Sequence, residues 1–197
     1  MRLGYGSIFV VMTLALILVA NIPLISTVLP FTGSQDGNPF SELWVLGPDH
    51  TIGGYPFNVT FGKEEALFMG VRNHLGHVAY YDVQVKLCNH TQPLPDKGEP
   101  SALPSLREFS FILKEDEGWE TSVNFTVLDG SFFDSSSSIE LLAINNDVFE
   151  VNSSSRWDPD HTGFYYHLFF ELWLYNVTSQ HFEYHERFVS IVLNMTA

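Results

Sequence analysis

A pair of alternating apolar and polar stretches, separated by a short turn, constrains the fold of this chain more than any other feature. Residues 66–73 and 79–88 alternate, and the turn Asn73–His77 between them contains Gly76. Because side chains in a strand point to opposite faces with a period of two, the pattern predicts two strands joined as a hairpin. The second strand has one apolar face, as in a half-buried antiparallel sheet, formed by Tyr81, Val83, Val85 and Leu87.

Further strand candidates extend this pattern along the chain. Clusters of Gly, Pro, Asn and Ser separate segments 40–46, 57–61, 66–73, 79–88, 107–113, 120–127, 139–145, 164–175 and 182–195. Such spacing predicts an all-β fold, an antiparallel β-sandwich. The strand end Val71-Arg72-Asn73, followed by a turn with Gly and an alternating strand, resembles the immunoglobulin-like modules of surface proteins, which implies an immunoglobulin-like β-sandwich. Segment 90–104 contains four prolines and is expected to be an exposed loop without regular structure. Segments 135–138 and 152–155 are expected to be polar loops.

Segment 164–175 stands out because both of its faces are largely apolar. One face forms a core stripe of Phe164, Tyr166, Leu168, Phe170, Leu172 and Leu174. The opposite face is aromatic and amphipathic, with Tyr165, His167, Phe169, Glu171, Trp173 and Tyr175. Two explanations fit the second face: a central strand covered by a loop or sheet edge, which we favour, or a surface that binds a partner.

The N-terminus predicts a membrane anchor, a single transmembrane helix, over residues 1–31. From Ile8 to Phe31 the chain has 24 uncharged residues, 15 of which are Leu, Ile, Val or Phe. As a helix this segment would span about 36 Å, against roughly 30 Å of bilayer hydrocarbon. A cleaved signal peptide with its apolar region at residues 8–20 is the alternative. We favour a retained anchor because no A-x-A-like site follows and apolarity resumes at Ile22.

Charges on either side of the apolar segment predict its orientation. Arg2 precedes the segment, whereas Asp36 and Glu42 follow it. Because positive charges favour the cytoplasmic side, we expect the C-terminal domain on the extracytoplasmic side of the cell membrane. Residues 32–39 then form a short linker, and residues 40–197 form the extracytoplasmic domain.

N-glycosylation is the strongest chemical signal in the sequence. Six of the eleven asparagines begin an N-x-Ser/Thr sequon, namely Asn58, Asn89, Asn124, Asn152, Asn176 and Asn194. With 29 Ser and Thr among 197 residues, chance predicts only about one or two matches to this acceptor motif. All six lie on expected outward faces, strand ends or loops, where a glycan needs no space in the core. We therefore predict that most of them carry glycan.

Charge and cysteine content exclude some classes of protein. The net charge of −14, with only nine Lys and Arg, would repel phosphate backbones and argues against nucleic-acid binding. Cys88 is the single cysteine, so an intramolecular disulfide cannot form. Its position at a strand end suggests a small, half-buried hydrophobic residue rather than a nucleophile.

Histidine-rich segments raise the alternative of a metal site. His181, Glu183 and His185 share one strand face, and His74 and His77 lie in a turn. We expect the strand face to be solvent-exposed and predict no metal, since a closed site needs ligands from elsewhere.

A second pattern, Asp158-x-Asp160-x-Thr162-Gly163, is similar to the start of a calcium loop, but position twelve is Phe169 where Glu is required. No phosphate loop, HExxH, CxxC or G-x-S-x-G motif is present, so no cofactor and no enzymatic activity are predicted.

Residues 42–87 resemble an archaeal family of membrane proteins known as domain of unknown function 1616. The similar elements are Leu46-Gly47-Pro48-Asp49, Tyr55-Pro56, Gly62 and Val71-Arg72-Asn73-His74. The segments Phe109–Leu113 and Glu117–Glu120 also resemble the family downstream. This resemblance implies a membrane-attached extracytoplasmic β-domain and supplies no catalytic residues.

Two functions remain open from the sequence alone. The first is a non-enzymatic, membrane-anchored surface glycoprotein that binds another envelope or membrane protein or serves as an accessory subunit. The second is a metal- or ligand-binding ectodomain, with or without enzymatic activity, that uses the strand with His181 and His185.

Overall fold

The computed structural model describes residues 38–196, which contain ten strands and no helix. The strands are β1 (Phe40–Leu46), β2 (Asn58–Val59), β3 (Glu64–His74), β4 (Ala79–Asn89), β5 (Arg107–Leu113), β6 (Gly118–Phe133), β7 (Ser136–Ile144), β8 (Asp147–Arg156), β9 (Tyr165–Asn176) and β10 (His181–Met195). The all-β prediction is therefore confirmed for this part of the chain.

The strands form two five-stranded sheets. The first sheet has the order β1-β3-β6-β7-β8, and the second has the order β2-β10-β9-β4-β5. Every pairing is antiparallel except that of the short β2 with β10. The β3–β6 neighbours and the β10-β9-β4 row correspond to the B–E and G-F-C pairings of an immunoglobulin sandwich. β7 and β8 extend the first sheet after β6.

One apolar core lies between the two sheets. Tyr81, Val83 and Val85 of β4 are fully buried, which confirms the predicted register of that strand. The predicted faces of β6 and β9 are confirmed as well, since Val123, Phe125, Val127, Tyr166, Leu168, Phe170 and Leu172 are all buried. Hydroxyl pairs link the sheets: Ser41 Oγ lies 2.7 Å from Tyr81 OH, and Ser137 Oγ lies 2.9 Å from Tyr166 OH. These hydrogen bonds give each of the two buried tyrosine hydroxyls a polar partner.

The predicted hairpin of residues 66–88 is wrong, although both of its strands exist. β3 pairs with β1 and β6, whereas β4 pairs with β5 and β9 in the other sheet. The turn between them therefore crosses from one sheet to the other. Both strands have an apolar face, and these faces meet across the core instead of lying side by side in one sheet. Alternation alone does not distinguish the two arrangements, because each buries the same residues.

The expected polar loops at 135–138 and 152–155 are also wrong. The first overlaps the start of β7, and the second lies inside β8, a strand that the sequence did not predict. The buried positions at this end of β8 are Ser153 and Ser155, so small hydroxyl side chains take the place of apolar ones. Asn152 adopts a left-handed φ of 48°, and the β7–β8 register shifts nearby. Serine and asparagine favour turns, which concealed the strand.

The predicted anchor, residues 1–31, and most of the 32–39 linker lie outside the described residues. Within residues 38–196 the structure has no helix that is long and apolar enough to cross a membrane.

Candidate functional site

The outer face of β9 is divided into a covered part and an open part. Phe169 and Glu171 are fully buried, and Ser101, in the segment between β4 and β5, lies over Glu171. This segment has no regular structure and most of its residues are exposed, which confirms the predicted loop, while a few of its residues, Ser101 among them, pack onto the sheet. The favoured explanation of the second apolar face, a covering loop, is confirmed for the middle of the strand.

An ion pair beneath the loop holds it in place. Lys86 Nζ lies 2.8 Å from Glu171 Oε2 and donates to the carbonyl of Ser101 at 2.9 Å. The Ser101 N–H in turn donates to Glu171 Oε1 at 2.7 Å, and Trp173 Nε1 donates to Glu171 Oε2 at 3.3 Å. One loop residue is thus bound through both its N–H and its carbonyl. The hydrogen-bond partners of both charged groups are residues of the domain itself, so the ion pair stabilises the loop against the sheet.

A second contact ties the loop to β10. The Tyr184 hydroxyl donates to the carbonyl of Asp96 at 3.1 Å, and its ring packs against Trp173 with centroids 5.7 Å apart. Burial, together with the carboxylates of Glu171, Asp96 and Glu186, raises the pKa of Tyr184 to about 12. The phenol therefore stays protonated and keeps its role as a hydrogen-bond donor.

The open part of the outer face carries a row of apolar side chains across four strands. We call it the aromatic row: Ile112 of β5, Tyr80 of β4, Tyr175 of β9 and Phe182 of β10. Ile112 pairs with Tyr80, and Phe182 pairs with Tyr175, in the sheet register. The Tyr80 ring lies 5.8 Å from Tyr175 and 4.9 Å from Phe182, and the last two rings are 5.5 Å apart. These edge and tilted geometries are favourable for aromatic pairs.

Much of the aromatic row is accessible to a partner. Ile112 is 64% exposed and Tyr80 is 38% exposed. Val78, two residues before Tyr80, and Val177, in the turn after β9, extend the apolar surface. Contiguous exposed apolar residues on a soluble surface commonly mark an interaction site. The row was missed at the sequence level, because its members come from four segments and only the pairing of the strands brings them together.

Asn73, from the Val-x-Asn-His element, organises the turns at the same end of the sandwich as the aromatic row. Its fully buried amide Nδ2 donates to the carbonyls of His77, Leu113 and Lys114, at 2.7, 3.1 and 3.1 Å. Its Oδ1 accepts from the Leu75 N–H at 2.9 Å and from the Tyr81 hydroxyl at 3.1 Å. The amide thus fastens the inter-sheet turn to the β5–β6 turn, so this motif residue is structural.

The six sequon asparagines differ in how their side chains are engaged. Asn58 and Asn152 are exposed, and the other four are partly buried. Three amide nitrogens donate within the protein: Asn89 to the Ser154 carbonyl, Asn176 to Glu183 Oε2 and Asn194 to Asn58 Oδ1. Asn176 lies on the face of β9 opposite to Tyr175, so a glycan there would leave the aromatic row open.

The structure does not bring the histidines of β10 together as a ligand set. His181 and Glu183 are exposed, with His181 Nε2 3.6 Å from Glu183 Oε1. His185 instead turns inward and places Nε2 3.0 Å from Ser41 Oγ. Burial lowers the pKa of His185, and the charge of Arg187 lowers it further. The expectation that this face is solvent-exposed is therefore correct for two of its residues and wrong for His185.

One group of possible ligand atoms does converge within residues 38–196. Atoms of His74, Glu115 and Asp116 lie within 4.8 Å of one another. The His74 nitrogens are already engaged, however, with Nδ1 at 2.8 Å from Asp116 Oδ1 and Nε2 at 3.0 Å from Glu42 Oε1. The two carboxylates hold the imidazole between them, which leaves no ring nitrogen for a metal. His77 lies outside this group and contacts the Leu75 carbonyl.

The calcium-like segment forms a turn that uses its own acidic side chain. Asp158 Oδ1 accepts from the N–H groups of Asp160 and His161, at 2.9 and 3.2 Å, and a bridge links Asp158 to Gly163. The hydrogen bonds from His161 and from the backbone lower the pKa of Asp158. These internal bonds account for the motif without an ion.

Cys88 is more deeply buried than expected. It is fully buried within β4, one residue before the strand ends. Burial raises the pKa of its thiol to about 11. The group is therefore a protonated thiol at neutral pH and a poor nucleophile.

These features define an immunoglobulin-like β-sandwich module with a covered outer sheet and an exposed aromatic row. The chain belongs to the family described as Domain of unknown function (DUF1616), whose model matches residues 34–132. A comparison with curated proteins finds no significant sequence match.

Solved structures show a distant similarity in fold. The CARDB domain of a Pyrococcus furiosus protein, solved in complex with di-metal ions, is 9% identical with a TM-score of 0.40, over 81% of this chain and 90% of that chain. A β-glucosidase from Listeria innocua in complex with glucose is 10% identical with a TM-score of 0.38, over 81% of this chain and 16% of that chain. At such identities the similarity concerns the fold alone.

Proposed function

We propose that this protein is a membrane-anchored, N-glycosylated surface protein whose non-enzymatic β-sandwich binds another envelope or membrane protein through the aromatic row. The observation that carries the proposal is the exposure of Ile112 and Tyr80 beside Tyr175 and Phe182 on one end of the second sheet. Proteins that act alone rarely leave contiguous apolar side chains in water, because burying them against a partner is favourable.

The position of the sequons supports this assignment of the surface. Asn58 and Asn194 lie side by side at the other end of the second sheet, near the end of β10. Asn124 lies in β6 and Asn152 in β8, both strands of the first sheet. Glycans at these positions would cover other faces and leave the aromatic row accessible.

The loop between β4 and β5 supports the same assignment, because it covers a different part of the same sheet face. Its residue Ser101 lies over Glu171 in the middle of β9, whereas Tyr175, farther along the same face, keeps part of its surface exposed. The chain therefore covers the middle of this sheet face and leaves the end with the aromatic row accessible. The uncharged segment from Ile8 to Phe31 would hold this domain at the outer membrane surface, where an envelope partner is close.

Co-purification from native membranes tests the proposal. Ile112→Lys places a charge in the aromatic row, and Val148→Lys places one on an exposed apolar position of β8 in the other sheet. We expect a partner that co-purifies with the unmodified protein and with Val148→Lys but is depleted by Ile112→Lys. Equal recovery from all three forms would contradict the proposal, and circular dichroism would show that both variants remain folded.

A further inference from the structure

The free edges of the two sheets differ in how they are protected. β1, β8 and β5 are edge strands, and most of β10 is also unpaired on one side because its neighbour β2 is short. The β8 edge has a register shift and the left-handed sequon residue Asn152, and the β10 edge has a register shift between Tyr184 and Arg187. In β1, the carbonyl of Val45 accepts from the Tyr55 hydroxyl at 3.0 Å. Irregularities of this kind hinder the addition of another strand.

The edge of β5 has none of these protections along its centre. All seven residues of β5 pair with β4 without a register shift, and none has a left-handed φ. Within residues 38–196, side chains bond to the β5 backbone only at its two ends. Ser105 Oγ donates to the carbonyl of Arg107 at 3.0 Å, and Asn73 Nδ2 donates to that of Leu113 at 3.1 Å. The backbone between these ends can therefore pair with a further strand.

The side chains along this edge carry a charge pattern that is complementary to itself. Glu108, Ser110, Ile112 and Lys114 alternate along the outer face, and all four are exposed. Glu108 and Lys114 form no ion pair within residues 38–196. The carboxylate lies three positions before Phe111 and the ammonium three positions after it. An antiparallel copy of the same segment therefore presents the opposite charge at each end.

We propose that two copies of this chain form a two-fold dimer through their β5 edges, paired antiparallel with Phe111 opposite Phe111 of the second copy. In this register, residues equally distant from Phe111 lie opposite each other. Glu108 then faces Lys114 of the second copy, and the symmetry repeats this pair at the other end of the strand. Ser110 faces Ile112 of the second copy between the two charge pairs.

The charges select this register over its neighbours. In a dimer centred on Ser110, Glu108 would face Ile112 of the second copy. Centred on Ile112, the dimer would place Glu108 opposite Asp116, and centred on Glu108 it would place two identical carboxylates opposite each other. Like charges directly opposite in a sheet are destabilising. The register centred on Phe111 avoids these contacts and pairs both exposed charges.

The dimer goes beyond the proposed function, because it concerns a second copy of this chain and not an envelope partner. It would join the second sheets of two copies into one continuous sheet, with Ile112 of each copy at the seam. Tyr80, Tyr175 and Phe182 lie on the strands behind β5 and stay uncovered, so the two aromatic rows would form one longer surface. Reversal of the charge at Glu108 or Lys114 leaves the row in place, so dimerisation and partner binding can be tested separately.

Charge reversal tests the dimer in the full-length protein. Sedimentation velocity in a non-ionic detergent should show a dimer for the unmodified protein. Glu108→Lys and Lys114→Glu each replace two attractions with two repulsions, so each should weaken the dimer by about tenfold or more. The double variant Glu108→Lys with Lys114→Glu restores opposite charges at both ends and should recover the dimer. It is the matched control, since it contains both substitutions.

Disulfide trapping provides a second measurement that does not depend on charge. Directly opposite residues in an antiparallel pair have Cα atoms about 4.5–5.5 Å apart, within reach of a disulfide. Chains with Glu108→Cys, mixed with differently tagged chains with Lys114→Cys, should form a crosslinked dimer of the two tags. Lys97→Cys, at an exposed position in the loop before β5, should give none, and the native Cys88 is buried.

Three results would overturn the proposal. The first is an unmodified protein that sediments as a monomer. The second is a dimer that neither single charge reversal weakens, which would place the contact elsewhere on the chain. The third is trapping that is absent between Glu108→Cys and Lys114→Cys, or equally efficient with Lys97→Cys.

Discussion

Lys86 and Glu171 form an ion pair on the outer face of a sheet, yet their side chains are only 4% and 0% exposed. The pair is buried because the loop between β4 and β5 lies above it, and the loop lies there because Ser101 bonds to both charges. The loop and the pair therefore depend on each other. This dependence decides where the apolar outer face is covered and where it stays open.

Lys86→Met should destabilise the domain strongly. Removing one member of a buried pair leaves the carboxylate of Glu171 without its cation, at an expected loss of about 3–5 kcal/mol in the free energy of unfolding. Urea unfolding followed by tryptophan fluorescence would measure it.

The double variant Lys86→Met with Glu171→Leu is the matched control. It removes both charges, so it should recover much of the stability, as expected when a buried pair is replaced by apolar residues. A double variant as unstable as the single one would show that the pair is not the source of the effect.

Val85→Ala and Gln84→Ala test the register of β4. Val85 is fully buried, and deleting two of its carbon atoms should cost on the order of 1–3 kcal/mol from transfer and cavity terms. Gln84 is on the outer face and should lose no more than about 0.5 kcal/mol. Equal losses in denaturant melts, or a larger loss for Gln84→Ala, would contradict the register.

Asn73→Asp tests the corner that joins the two sheets. The aspartate keeps the shape and the acceptors of asparagine but loses the donor that satisfies three backbone carbonyls. We expect a loss on the order of 3 kcal/mol, because buried acceptors are left unpaired. His77→Ala, in the same turn, removes an exposed ring and should change stability by less than about 0.5 kcal/mol. Thermal melts that do not separate the two variants would contradict this role of Asn73.

Glycan occupancy should be correlated between two of the sequons. Asn194 Nδ2 lies 3.0 Å from Asn58 Oδ1, so sugars on both side chains would compete for the same space. Intact-glycopeptide mapping of native protein should find glycan at most sequons, but chains modified at both Asn58 and Asn194 should be rarer than independent modification predicts. Frequent double occupancy would refute the crowding argument. A protein unmodified at all six sites would refute the glycoprotein assignment itself.

Most strands were predictable from the alternation of apolar and polar residues. A strand with one buried face requires an apolar side chain at every second position. Phe40–Leu46 and Arg107–Leu113 have the bounds that the sequence predicts, and the core residues of β4, β6 and β9 are the expected ones. The sheet to which each strand belongs was not predictable. β3 and β4 bury the same residues whether they form a hairpin or face each other across the core. In the structure the Asn73 side chain fastens the turn that carries the chain from one sheet to the other.

The aromatic row was less accessible to sequence analysis, since it depends on strands that are distant along the chain. Its members Ile112, Tyr80, Tyr175 and Phe182 come from four strands, and only the strand pairing brings them together. β8 was missed for a different reason: serines at 153 and 155 occupy its buried positions. Sequence patterns detect large apolar side chains, and this edge of the core contains small polar ones.

Site-specific photo-crosslinking in intact cells is the most direct test of the central claim, that the aromatic row binds an envelope or membrane protein. A photoreactive amino acid at Ile112 or Val177 samples the row, and one at Val148 samples an exposed position on the other sheet. We predict a discrete crosslinked species from Ile112 and Val177 and none of that mass from Val148. Crosslinks that are absent at both row positions, or identical at all three positions, would contradict the account.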